Sequence, residues 1–229
     1  MLNTFSARAT FYDIVGYLLP GIVSFGVFGL WIVILGGDDF IDVVMKIIGK
    51  HWFGASILGC ALSYLAGHCA NSFSSFVFEK HIFAKRFENE SNWYKRLHDN
   101  SPEREAVISK IVGAEFGIEL KDLKPFDLLI RMEEYFPKAT ISGFSFLCFY
   151  GMCRTMALLA WLSIIPVGIY FGTEINVFGC VTLMFVHGVG MSLTMVLVGL
   201  LFLNQYFRFV KNYYDFLACT LMFRAEKHS

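Results

Sequence analysis

The stretch Trp52–Phe78, WFGASILGCALSYLAGHCANSFSSFVF, decides the fold because it contains no Asp, Glu, Lys or Arg. A membrane span needs about 20 mostly apolar residues, since a helix rises about 1.5 Å per residue across roughly 30 Å of hydrocarbon. Similar apolar stretches lie at Ile14–Gly36, Thr155–Gly172 and Ile175–Leu203. Each must be helical, because hydrocarbon offers loose backbone groups no hydrogen-bond partner. We therefore predict an all-α, polytopic membrane fold with four transmembrane helices.

The composition excludes other classes of protein. Of the 229 residues, 56% are hydrophobic and 17% are charged, against about 25% charged in an ordinary soluble domain. A free soluble globule of this size could not hide so much apolar surface, and disorder requires low hydrophobicity. The formal net charge is zero, so binding of nucleic acid through bulk basicity is not expected. The expected partner is the lipid bilayer.

The polar residues divide the chain into three regions. Residues 1–78 are predicted to hold the first two spans, and residues 139–229 the last two with cytoplasmic extensions. Residues 79–138 form a polar region with a helix predicted from Ser101-Pro102-Glu103 and a second from about Pro125. Two short amphipathic helices cannot build a core alone. We therefore expect this cytoplasmic region to bury against the span ends, another copy of the chain or a partner protein.

The distribution of basic residues predicts the orientation. Residues 79–138 hold 11 of the 19 Lys and Arg residues, and such residues concentrate on the cytoplasmic side of a membrane. We predict that both termini are cytoplasmic, with Gly37–His51 and Thr173-Glu174 as loops on the opposite side. The first span is expected to be retained, because it is too long for a signal peptide and lacks an Ala-x-Ala cleavage site.

Two charges in apolar surroundings are candidates for function. Asp13 begins the first span, and Arg154 lies in a long apolar run near the third. Charges near hydrocarbon are costly and tend to be paired or to face water. One interpretation is an intramembrane pair between Asp13 and Arg154. The other is that each side chain reaches the headgroup region separately.

The histidines within the spans are a second candidate. His68 and His187 are the titratable groups within the second and fourth spans, and imidazole can shuttle protons. Neither span contains an Asp or Glu to assist a relay. A structural histidine that contacts a neighbouring helix is the competing interpretation.

The second span also carries a periodic small-residue face. Small or polar residues recur there every four positions, which permits close helix packing or lines a water-filled path. The fourth span has a shorter pattern at Gly188, Ser192 and Gly199, and Pro20 and Pro166 are expected to kink the first and third spans. The residues of the face in the second span are Ala55, Gly59, Ser63, Gly67 and Asn71.

The sequence contains no motif of an enzyme or a resident cofactor. No GxSxG, HExxH, P-loop or GxGxxG pattern occurs, so we expect no catalytic residues, no cofactor and no enzymatic activity. The six cysteines lie in or beside apolar segments and form no CxxC pair. They are expected to be small buried hydrophobes rather than disulfide or zinc ligands.

The N-terminal string FYDIVGYLLPG, residues 11–21, resembles the opening of small multi-pass membrane proteins of bacterial antiphage systems. These are retron-associated transmembrane effectors and the membrane subunit of Kiwa-type systems. The resemblance implies an inner-membrane protein, expected to be a homo-oligomer, that compromises the membrane after infection is sensed. The first alternative function is a non-toxic anchor or sensor that recruits a partner through residues 79–138. The second alternative is a small channel or transporter.

Overall fold

The computed structural model describes residues 11–86, 102–117, 119, 137–178 and 181–228. All the regular structure in these ranges is helical, which confirms the all-α fold class. In chain order the α-helices are α1 Leu19–Lys50, α2 Trp52–Val77, α3 Pro102–Phe116, α4 Pro137–Leu162, α5 Ile164–Phe178 and α6 Val181–His228. Two π-helical turns adjoin them, Ile14–Leu18 before α1 and Phe78–Ile82 after α2.

Among the described residues, four helical stretches are long and apolar enough to cross a membrane. They are Phe11–Gly29, Trp52–Ile82, Ile141–Phe171 and Val186–Thr220. Large apolar side chains such as Trp52, Leu197 and Leu201 are exposed along these stretches. Such a surface suits a lipid environment, because soluble proteins rarely expose large contiguous apolar patches. The chain is therefore a membrane-embedded helical protein.

Two connections predicted from the sequence are wrong. The expected loop Gly37–His51 is instead the end of α1, which continues to Lys50. The expected loop at Thr173-Glu174 lies within α5. In both cases a change in polarity was mistaken for a change in backbone conformation, although a helix can continue through it. Before the third predicted span, α4 already starts at Pro137 and its apolar stretch at Ile141.

The two prolines expected to distort helices mark irregularities in the structure. The N–H of Leu19 bonds to the carbonyl of Ile14, five residues back, directly before Pro20. A π-helical turn forms here, next to a residue that has no N–H to continue the α-helical pattern. Pro166 follows a turn at Ser163 that separates α4 from α5. The Ser163 hydroxyl donates to the carbonyl of Leu159 at 2.8 Å.

Close backbone contact joins the first membrane helix to α2. A Cβ placed on Gly21 would overlap the carbonyl of Ser63, and one on Gly67 would overlap the carbonyl of Tyr17. The pairing of 21 with 63 and of 17 with 67 means that the two helices run in opposite directions. Small residues at these positions allow the backbones to meet.

The longest helix, α6, links two parts of the core. Near its middle, α6 packs against α4 and the end of α2 in a cluster with Phe78, Ala157 and Tyr206. Further along, Tyr213 and Leu217 pack against one face of α3. The α3 residues in this second cluster are Ile108 and Val112. The helix α3 is thereby attached to the membrane bundle, as its predicted apolar face requires. The second helix predicted near Pro125 lies outside the described residues.

Candidate functional site: a buried polar layer

Polar side chains follow one face of α2 into the π-helical turn after it. Tyr64, His68, Asn71, Ser75 and Glu79 are spaced by three or four residues, and this spacing places side chains on the same side of a helix. The face points toward the other membrane helices. Around it lies the polar layer, which comprises Tyr12, Asp13, Tyr17, Tyr64, His68, Asn71, Ser74, Ser75, Glu79, Arg154, Thr155 and Tyr206.

Arg154 is the centre of the polar layer. Its Nη1 forms an ion pair with Oε1 of Glu79. Its Nε donates to the Ser74 hydroxyl at 3.1 Å, and its Nη2 donates to Oδ1 of Asn71 at 2.6 Å and to the Asn71 carbonyl at 3.2 Å. The Arg154 guanidinium also lies 5.9 Å from the ring centre of Tyr150. Four hydrogen bonds thus use four of the five N–H donors that an arginine carries.

The carboxylate of Glu79 connects three helices. Besides Arg154 of α4, its Oε1 accepts a hydrogen bond from the Tyr206 hydroxyl of α6 at 3.1 Å. Its Oε2 accepts one from the hydroxyl of Ser75, one turn earlier on α2. The hydroxyl of Thr155 lies 3.2 Å from that of Ser74 and 3.3 Å from Oδ1 of Asn71. Within the described residues, the charges of Arg154 and Glu79 therefore each have several polar partners.

Burial makes this ion pair energetically important. The side chains of Arg154 and Glu79 are only 7% and 15% exposed. Removing one partner of a buried ion pair costs about 3–5 kcal/mol, because the other charge is left without compensation. Replacing both partners by well-packed apolar residues is often neutral or stabilising. Stability alone is thus a weak explanation for placing charges here, which makes the pair a candidate functional element.

The expected pair between Asp13 and Arg154 does not form. Arg154 pairs with Glu79, whereas Oδ1 of Asp13 accepts a hydrogen bond from the Tyr64 hydroxyl at 3.1 Å. The sequence left open whether Arg154 is paired or reaches the headgroup region separately, and the structure pairs it with Glu79 rather than with Asp13. Residue Glu79 was assigned to the polar region that follows the second span, because its charge ends the apolar run. The π-helical turn Phe78–Ile82 continues the helix and keeps Glu79 within reach of Arg154.

His68 lies among aromatic side chains of two helices. Its ring stacks on Tyr17 with 3.6 Å between centroids and meets Tyr64 edge-on at 4.6 Å. The hydroxyl of Tyr17 is 3.1 Å from that of Tyr12. These contacts between helices favour the structural interpretation of His68. His187 is exposed near the start of α6, 19 positions along that helix from Tyr206, and so lies outside the polar layer.

The small-residue face of α2 divides into parts with different roles. Ser63 and Gly67 form the close contact with the first membrane helix. A Cβ on Gly59 would meet nothing within 4 Å, and Ala55 lies one turn further away. Asn71 belongs to the polar layer. On α6, a Cβ at Gly188 would crowd Phe171 and one at Gly199 would overlap the ring of Trp161, so close packing applies there as well.

Comparison with protein-family models, with curated proteins and with solved structures finds no match to the chain. Within the described ranges, no three His, Cys, Asp or Glu side chains are grouped so that they could hold a metal ion.

The polar layer can act as a switch. An arginine stays charged at all physiological pH values, so the charge balance at Arg154 depends on its carboxylate partner. Three membrane helices meet at Glu79, and any movement that separates them must expose or strand a charge.

Proposed function

We propose that the chain is an inner-membrane component of a bacterial antiphage defence system that compromises membrane integrity after infection is sensed. In this proposal the bundle is closed before infection, and the pair between Arg154 and Glu79 holds it closed. The buried pair is the observation that carries the mechanism. The resemblance of residues 11–21 to antiphage membrane proteins supports the biological setting.

The energetic argument concerns the closed and open bundle. Separating Arg154 from Glu79 inside the closed bundle strands a buried charge, at a cost of about 3–5 kcal/mol. Water entering a rearranged bundle removes that cost, because hydrated charges need no ionic partner. A trigger that disrupts the pair therefore shifts the equilibrium toward a hydrated state. Since 1.4 kcal/mol corresponds to a factor of ten, the shift amounts to roughly a hundredfold or more.

The proposal includes a homo-oligomer with both termini in the cytoplasm. Gly21 and Gly67 bring the first membrane helix against α2, and Gly199 brings α6 against Trp161 of α4, so neither of these helix pairs leaves a path at its contact. A conducting path would therefore form between copies when the polar layer rearranges. Even a modest leak would affect the membrane potential, because each elementary charge that crosses the membrane down 100 mV releases about 2.3 kcal/mol.

A membrane anchor or sensor is the second candidate, and the position of α3 favours it. One face of α3 is occupied by Tyr213 and Leu217 of α6, while Val107 is 47% exposed on another face. A cytoplasmic partner bound to α3 would be connected to the membrane bundle through α6. This candidate predicts recruitment without any loss of membrane potential.

The experiment that separates the candidates is a membrane-potential recording in bacteria that express the protein. We expect uninfected cells with the wild-type chain to keep their potential and infected cells to lose it before phage release. Glu79→Gln should depolarise cells without infection. Asp42→Asn is the matched control, because Asp42 is an exposed acid outside the polar layer, and it should behave like wild type. A normal potential in infected cells that nevertheless stop growing would contradict the effector role and favour the anchor.

A further inference from the structure

Five exposed basic side chains lie just beyond the polar layer, in residues 80–86 after α2 and in the middle of α6. The contact between Arg86 and Phe207 joins the two groups, with the guanidinium carbon 3.9 Å from the ring centre. The ring of Phe83 lies 5.6 Å from the same phenylalanine. This basic patch consists of Lys80, Lys85, Arg86, Arg208 and Lys211, all of which are exposed.

The uncharged part of α6 ends at the basic patch. Val181–Phe207 contains no Asp, Glu, Lys or Arg, and as a helix it is about 40 Å long. This is enough to cross the roughly 30 Å hydrocarbon layer. Arg208 is the first charged residue after this run, as Glu79 and Lys80 are the first after Trp52–Phe78. We therefore expect both helices to meet the headgroup region at the basic patch.

Basic residues outnumber acidic ones in the two described segments that carry the patch. In residues 78–86 and 204–215 the acidic residues are Glu79 and Asp215. Glu79 faces inward and is paired with Arg154, so within these two segments exposed Asp215 stands against five cations. A surface with an excess of basic residues at headgroup depth attracts anionic lipid.

We propose that the basic patch of Lys80, Lys85, Arg86, Arg208 and Lys211 is a binding site for the phosphate of an anionic phospholipid headgroup. Arg86 is held in place by its stacking on Phe207 and offers a planar set of N–H donors, which suits phosphate oxygens. The apolar side chain of Phe83 and the uncharged part of α6 before Arg208 lie where the acyl chains begin. The lipid would join the end of α2 to α6 beside the polar layer.

The site is independent of the proposed defence role, so it is tested on purified protein without cells or phage. Native mass spectrometry measures how much phosphatidylglycerol and phosphatidylcholine the full chain retains from mixed detergent micelles. Each basic residue near an anionic surface contributes about 1 kcal/mol. We therefore expect the triple variant Arg86→Gln, Arg208→Gln and Lys211→Gln to retain phosphatidylglycerol at least tenfold less than wild type.

Two controls make the experiment decisive. Lys46→Gln with Lys50→Gln removes exposed basic residues from α1 and should leave phosphatidylglycerol retention unchanged. The double variant Arg208→Gln with Lys211→Gln leaves the stacking of Arg86 on Phe207 intact, so its reduced retention cannot be attributed to lost packing. Equal retention of the two lipids by wild type, or equal retention by wild type and the triple variant, would overturn the site. Displacement of the lipid by millimolar inorganic phosphate would also overturn it, by assigning the patch to free phosphate.

Discussion

Arg154 has more polar contacts than any other side chain described above. Its four hydrogen bonds, one of which is the ion pair with Glu79, go to Asn71, Ser74 and Glu79 of the helix formed by α2 and the π-helical turn. Because this arginine lies in an apolar run, an ionic partner was one of two interpretations of the sequence. The sequence could not indicate which partner, since Asp13 and Glu79 are both acids at the margins of apolar segments. The choice of partner depends on the backbone, because the π-helical turn Phe78–Ile82 determines the position of Glu79.

The coupling between Glu79 and Arg154 is testable by a double-mutant cycle. We expect Glu79→Gln and Arg154→Gln each to lower the free energy of unfolding by about 3–5 kcal/mol, because each leaves one buried charge uncompensated. The double variant should lose less than the sum of the two, since neither charge remains. Thermal or denaturant unfolding of the purified protein in one detergent measures all four states.

The control for this cycle is Asp42→Asn, which removes an exposed carboxylate from α1 and should change stability by less than about 0.5 kcal/mol. Strict additivity of the two polar-layer substitutions would show that Glu79 and Arg154 do not act as a pair.

At the scale of helices, the contact between the first membrane helix and α2 was partly predictable. The four-residue recurrence of small residues indicated a packing face, and the structure places Ser63 and Gly67 in that contact. The recurrence alone could not show where the contact ends. Gly59 continues the pattern but has open space around its Cα, because helices that cross at an angle separate away from the crossing point.

Alanine substitutions distinguish the two glycines. Gly67→Ala adds a methyl group against the backbone carbonyl of Tyr17 and should destabilise the bundle by about 1–3 kcal/mol. Gly59→Ala meets no neighbour and should be neutral or stabilise the protein by up to about 1 kcal/mol, since alanine favours a helix more than glycine. Unfolding in detergent provides the comparison, and an equal loss for both variants would contradict the described packing.

The attachment of α3 to α6 is tested in the same way, with a buried and an exposed position on one helix. Ile108 is fully buried against Tyr213 and Leu217, whereas Val107 is 47% exposed. Ile108→Asp should detach α3, because a carboxylate cannot be buried there without a partner, and a detached helix of this length is marginal. Hydrogen exchange of the α3 amides should then accelerate at least tenfold.

In the same hydrogen-exchange measurement, Val107→Asp should leave the protection of α3 close to that of the wild type. If both variants exchange alike, α3 is not held by the face that contains Ile108.

At the scale of the whole molecule, composition and the lengths of the apolar runs were sufficient to predict the four-span helical fold. The connections were predicted less well, because charges at Gly37–His51 do not stop α1 from continuing to Lys50. The polar layer was predicted only in fragments. Tyr64 and Tyr206 could not be singled out from the sequence, since tyrosine is common in membrane helices. Only the packing shows which groups their hydroxyls contact. The available clue to the polar layer was the spacing of Ser75 and Glu79, which lie one helical turn apart.

We propose that the pair between Arg154 and Glu79 keeps the membrane bundle closed. Dye release from liposomes tests this with purified wild-type, Glu79→Gln or Asp42→Asn protein in equal amounts, with folding verified by circular dichroism. We expect tight liposomes for wild type and Asp42→Asn and rapid dye release for Glu79→Gln. Folded Glu79→Gln protein that leaves the liposomes as tight as wild type would contradict it.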